Sequence, residues 1–202
     1  MIARHAALLE ALAAEAGLDP RALRAVIAVE SAGEGLCRSR PVIRLEVHRF
    51  WLEVPLEKRP AVDARFRVLG PRPWEGHEYR QADGSWTPLH LPREGGQALE
   101  WEALTVARGI DERAAIRATS WGAGQILGIH STALGYSTAT AFAAAQFTEA
   151  QQLTDLVRLI LLDPRLVDAI RERDWTVFAH YYNGTGQVEW YAGRMAAAYA
   201  AV

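Results

Sequence analysis

The chain has 202 residues, half of them hydrophobic and 23% charged, which suits a globular domain and excludes a disordered or fibrous protein. A formal net charge of −2 provides no broad positive field and argues against a nucleic-acid partner. One cysteine, Cys37, excludes an intrachain disulfide and a zinc site of cysteine pairs, and reads as a small half-buried thiol.

In chain order, residues 2–16 are rich in alanine and leucine, interrupted at helical intervals by Arg4, His5, Glu10 and Glu15. This reads as a helix ended by Gly17, not as a signal peptide. No stretch approaches the ~18 uncharged apolar residues that span a bilayer. Asp19 and Pro20 have the chemistry of an N-cap and first helical residue, and Leu18 and Leu23 sit as a hydrophobic staple would. Leu23, Val26 and Ile27 form one apolar stripe whose next position is Glu30. Gly33 and Gly35 stop this helix just beyond.

Residues 42–48 alternate, with Ile43, Leu45 and Val47 on one face and Arg44, Glu46 and His48 on the other, which predicts a strand. From Pro55 to Gly96 the chain is rich in proline, glycine and charge and reads as a long ordered loop or small insertion. Helices return from Gln97. Asp111 caps one through about Thr119, and Thr148 with Gln151 has the capping-box pattern. Leu153, Leu156, Val157, Ile160 and Leu161 then follow helical spacing. Asp163-Pro164 and Asp174 start two further helices, the second ending near Asn183-Gly184. The last helix carries Val188, Tyr191, Met195 and Tyr199 on one side. No internal repeat or linker is visible, so residues 1–202 are expected to form a single domain, mainly α with some β, and 55–96 a loop-rich insertion within it.

Glu30 occupies a core-facing stripe in the last turn of its helix. Desolvation and the negative end of the helix dipole should both raise its pKa, suiting it to protonate a glycosidic oxygen; the alternative is a structural carboxylate paired with an arginine. Glu46, flanked by Arg44 and His48, should stay ionised and could act as base or electrostatic stabiliser, or belong to a solvated strand face. His48 could orient a water. In Ser120–Ile126 the two glycines allow close backbone approach, and Gln125 could bond a sugar or the Glu30 carboxyl. Tyr182 could donate its hydroxyl to the acid or the substrate. Trp121, with one or both of Trp74 and Trp86, could stack on sugar rings, although most of the seven tryptophans belong in a core. No zinc-binding His-Glu-x-x-His helix, nucleophile elbow or dinucleotide fingerprint occurs. The six histidines are scattered with no tight pair, so neither metal nor cofactor is expected.

These pieces come in a definite order: Val29-Glu30-Ser31-Ala32-Gly33, then Arg40–Phe50, then Ala118–Gly128, then Tyr182-Asn183-Gly184. Together they resemble the N-acetylmuramidase family of bacteriophage endolysins and prophage regions, from about residue 10 to 200, and echo the wider lysozyme-like group. The resemblance implies a lysozyme-like fold with a small β-hairpin beside the active-site cleft. It implies Glu30 as the catalytic glutamate, with Ser31, Gln125, Ile126, Tyr182 and Asn183 at matching cleft positions and Glu46 at the acidic position of the strand motif. Arg44 departs from the pattern, standing where an apolar or aromatic residue is typical, and 55–96 aligns poorly.

The implied reaction is cleavage of peptidoglycan between N-acetylmuramic acid and N-acetylglucosamine by a monomer without a membrane span. Without an export signal, the enzyme would be made in the cytoplasm and reach the wall by holin-type release or injection. A lytic transglycosylase, a non-catalytic wall-binding module of a phage and a chitinase-like enzyme are the competing readings.

Overall fold

The structure is a computed structural model that describes residues 1–91 and 93–201. Pro92 and Val202 lie outside the described residues; both belong to the expected 1–202 domain, and Pro92 to the expected 55–96 insertion. The chain divides into two compact units, one of Met1–Arg40, Gly122–Gly124 and Ala145–Val202, the other of Pro41–Trp121 and Gln125–Ala144.

In the first unit, helices start where short polar side chains cap them. Residues 2–16 form a 3-10 turn, Ile2–His5, and a helix, Ala6–Ala16, ended by Gly17 in the left-handed region at φ 64. Asp19 accepts the Arg21 N–H at 2.8 Å, and Pro20 leads the helix Pro20–Ser31. Asp163 and Asp174 cap Pro164–Glu172 and Trp175–Asn183 in the same way. Each such cap contributes about 1 kcal/mol. Thr148 does precede the helix Glu149–Leu161, but its side chain makes no cap bond. Gln151 donates to Asp155 at 2.9 Å instead of closing a capping box. Leu153, Leu156, Val157 and Ile160 are buried, whereas Leu161 is 46% exposed and leaves the stripe. The helix Val188–Ala200 packs on Pro20–Ser31 and on Trp175–Asn183, burying Met195 and Ala192.

In the second unit, Ile43–Leu45 pairs antiparallel with Thr119–Trp121, which pairs with Ile126–Leu127. The strand is shorter than the alternation suggested. The Glu46 N–H makes a last bond to the Ala118 carbonyl at 3.0 Å, and Glu46 then serves as N-cap of a helix, Val47–Glu53. Alternating burial continues through Val47 and His48, because the first helical turn happens to extend it.

The other edge of this strand is closed by side chains. Gln97 accepts the Ile43 N–H at 2.9 Å and donates to the Ile43 carbonyl at 3.0 Å, while Glu100 accepts the Leu45 N–H at 2.8 Å. A helix face thus satisfies backbone groups that a neighbouring strand would otherwise take. That helix, Arg93–Arg117, breaks at Asp111, whose carboxylate accepts the Ala114 N–H at 2.9 Å. The cap expected at Asp111 is therefore present inside a continuous run.

Residues 55–96 are not a long loop. They hold a 3-10 turn, Leu56–Lys58, a short helix, Arg59–Asp63, and an antiparallel sheet of Phe66–Val68, His77–Arg80 and Trp86–Pro88. Phe66 and Tyr79 are buried beneath it, and the Arg67 guanidinium lies 4.1 Å over the Trp86 ring. Both units together bear out a mainly α protein with small antiparallel sheets.

Candidate active site

Glu30 is half-buried in the last turn of Pro20–Ser31. The helix ends because Ala32 turns left-handed at φ 54 and the Gly33 N–H folds back onto the Ile27 carbonyl at 3.2 Å. A left-handed alanine costs roughly 1–2 kcal/mol, so this ending is held by its surroundings. Asn183, last residue of Trp175–Asn183, donates from Nδ2 to Glu30 Oε1 at 2.7 Å across 153 residues of sequence. Asn183 therefore acts on the carboxyl group itself, beyond its helix-ending role.

The Tyr182 hydroxyl donates to the Gly124 carbonyl at 2.7 Å, and its ring stacks on Phe178 at 5.1 Å. The expectation that Tyr182 donates to the acid is corrected: its proton goes to a backbone carbonyl. Burial, and after it the Glu30 charge, push its pKa well above the ordinary tyrosine value, so it remains a neutral donor. Ser31 likewise bonds the Ile27 carbonyl of its own helix, at 3.2 Å.

A residue that sequence reasoning missed, Gln152, holds the glycine turn. It is 1% exposed. Its Oε1 accepts the Ala123 N–H at 2.9 Å, and its Nε2 donates to the Gly35 and Gln146 carbonyls at 3.1 and 2.6 Å. A Cβ on Gly122, whose φ is +67, would lie 2.6 Å from the Gln152 carboxamide carbon. Glycine is required there on both counts. The available signal was a polar residue adjoining the apolar stripe Leu153–Leu156–Ile160.

In the second unit Glu46 Oε1 lies 2.8 Å from Arg44 Nε as an ion pair, while Oε2 lies 3.7 Å from Nδ1 of both His48 and His77. His48 and His77 approach to 3.3 Å, and His77 and His90 to 3.2 Å. The expectation of scattered histidines is thus overturned, since a strand, a helix and a loop bring three together. Burial chiefly, then neighbouring charges, pushes the His48 pKa down to about 4 and that of His90 down to about 2. Burial also lowers His77, opposed by its bond to the Pro73 carbonyl. Burial thus disfavours the charged form of all three. Glu100, 1% exposed, accepts the His90 and Leu45 N–H groups, and burial raises its pKa to about 7.

Trp121 is corrected from sugar platform to core. It is 2% exposed, donates to the Ile116 carbonyl, and packs edge-on against Trp101 and Phe142. Gln125 adopts φ 46 and donates to the Val42 carbonyl at 3.3 Å. The first unit therefore gathers Glu30, Tyr182, Asn183 and Gly122–Gly124; the second gathers Glu46 and His48.

The N-acetylmuramidase family matches residues 19–202, a span containing all these residues. A crystal structure of a Burkholderia AP3 phage endolysin is similar, with 32% sequence identity and a TM-score of 0.72 over 96% of this chain and 68% of that one. No curated protein matches the chain. Among the described residues no helix is long and apolar enough to cross a membrane.

Proposed function

This chain belongs to the N-acetylmuramidase family, and from that premise we propose that it hydrolyses the β-1,4 bond between N-acetylmuramic acid and N-acetylglucosamine, with Glu30 as general acid. Family membership itself supports a glycoside hydrolase that acts on peptidoglycan. The observation that carries the finer reading is the 2.7 Å bond from Asn183 to Glu30, which ties two motif residues into one arrangement.

Glycoside hydrolysis uses one carboxyl group to protonate the leaving oxygen and a second to assist water or stabilise the developing positive charge. In this reading Glu30 gives its proton to the glycosidic oxygen as the bond to the anomeric carbon breaks. Water supplies the new oxygen at that carbon, and its proton passes to Glu46. Asn183 orients the acid, and Tyr182 fixes the glycine turn through Gly124. Gln125, Ser31 and His48 are the proposed contacts to sugar or water.

Digestion of purified sacculi followed by mass spectrometry tests the reaction. Fragments with reducing N-acetylmuramic acid ends are expected. Anhydro ends would replace hydrolysis with transglycosylation, and reducing N-acetylglucosamine ends would assign a different bond. Undigested sacculi would leave the chain as a non-catalytic wall-binding module.

A further inference from the structure

We propose that Glu46 Oε2, His48 Nδ1 and His77 Nδ1 form a binding site for a divalent transition-metal ion of the zinc class. One ligand atom from each residue can be chosen so that all lie within 4.8 Å of one another. A tetrahedral zinc ion with bonds of 2.0–2.2 Å sets neighbouring ligand atoms roughly 3.4 Å apart. The 3.7 Å separations between Glu46 Oε2 and each Nδ1 are within about 0.3 Å of that spacing.

Hydrogen bonds settle which ring nitrogens carry lone pairs. A backbone carbonyl only accepts, so the 2.8 Å contact between His77 Nε2 and the Pro73 oxygen puts the proton on Nε2 and leaves a lone pair on Nδ1. The same Nε2–H lies 3.3 Å from His48 Nδ1, which must then present a lone pair too. His90 Nε2, 3.1 Å from the Leu45 carbonyl, is a donor by the same reasoning. It also lies 3.2 Å from His77 Nδ1, so an ion on Nδ1 would displace that contact and leave His90 on the Leu45 carbonyl. A ligand imidazole whose second N–H is anchored on a carbonyl is the usual outer arrangement of a metal-bound histidine.

Glu46 Oε2 is buried and has no hydrogen-bond donor. A cation among this oxygen and the two ring nitrogens would use the open lone pair of Oε2 and replace the long His48–His77 and His77–His90 contacts with metal–nitrogen bonds. Two imidazoles and one carboxylate select zinc, cobalt, nickel or copper over magnesium or calcium, which prefer all-oxygen shells. Arg44 occupies the other oxygen, Oε1, and its charge lowers the affinity without blocking Oε2. His48 also lines a cavity of about 390 Å³ with Trp51, Phe66 and Pro73. Because Glu46 is the proposed partner of Glu30, an ion on Oε2 would also slow hydrolysis; that consequence rests on the hydrolase reading, and ion binding does not.

The test is a Co²⁺ titration of the chelator-treated full chain, followed by visible absorption and by displacement with Zn²⁺ in calorimetry. One Co²⁺ per chain with low-coordinate absorption bands is expected. His77→Asn and His48→Asn should each weaken binding more than about 100-fold, since a lost ligand exceeds the effect of a lost outer partner. Glu30→Gln should bind Co²⁺ as the wild type does, so loss of the hydrolase reading would leave this result intact. Absence of a saturable one-to-one signal would overturn the site. So would wild-type affinity in either histidine variant whose circular dichroism shows it folded, and if His77→Asn does not fold, His48→Asn decides.

Discussion

In the first unit Glu30 accepts from the amide of Asn183, and the glycine turn is fixed by a second amide, Gln152. In the second unit Glu46 lies against the Arg44 guanidinium and two imidazoles. An amide donor fixes orientation without adding charge, whereas a guanidinium adds a full positive charge beside the carboxylate. The proposed division of work, in which one carboxyl delivers a proton and the other acts as an anion, would draw on this contrast. It also suggests where each region is fragile: the first depends on satisfied buried amides, the second on the balance of charge.

The largest expected effect is in the first unit. Gln152→Leu leaves one N–H and two carbonyls without their partner, and should destabilise by about 3 kcal/mol or more, read by urea unfolding. A loss below about 0.5 kcal/mol would break the view that amides hold this region. Next, Asn183→Ala should lower kcat by about 10- to 100-fold, the scale of a mispositioned catalytic group, with thermal unfolding little changed. A fall in stability with unchanged kcat would instead make Asn183 a helix cap only. Tyr182→Phe keeps the stack on Phe178 and loses the bond to Gly124, so about 1 kcal/mol of stability should disappear, with a smaller loss of activity than Asn183→Ala.

Smallest, and most useful for separating the units, is the pH dependence. Burial acts to raise the Glu149 pKa, but hydrogen bonds from His5 and Arg4 outweigh it and hold it below its ordinary value. Its stabilisation is therefore full above the unfolded carboxyl range and is lost as pH falls through the lowered value. Glu100 is opposite. With a folded pKa of about 7 against an ordinary 4.5, its favourable contribution is full below the ordinary value and fades as pH rises toward neutrality. Urea unfolding between about pH 4 and 8 should show Glu149→Gln flattening the acid limb and Glu100→Gln the neutral limb. Both variants altering the same limb would contradict these environments.

Local chemistry was legible in the sequence. Asp19-Pro20, Asp163-Pro164 and Asp174 cap helices by bonds spanning two or three residues, and no tertiary information is needed to find them. The apolar stripe leading to Glu30 was legible for the same reason. Where pairing depends on distant residues, reading stopped. Strands of three or four residues in 55–96 carry too little alternation to stand out from a proline-rich background. The strand at Ile43 looked longer than it is, because burial in the first helical turn continues its alternation. Trp121 could not be told from an exposed ring, since aromatic content is silent on which ring is enclosed. His48, His77 and His90 share no spacing, and it takes the packing of a helix, a strand and a loop to bring them together.

The most direct measurement is the rate at which Glu30→Gln cleaves purified peptidoglycan, taken beside its thermal unfolding. Glutamine keeps the shape and can still accept from Asn183, but it has no proton to give. If Glu30 is the proton donor, the rate should fall by about 10³-fold with the fold intact. A folded variant that keeps more than about a tenth of the wild-type rate would show that the proton comes from somewhere else.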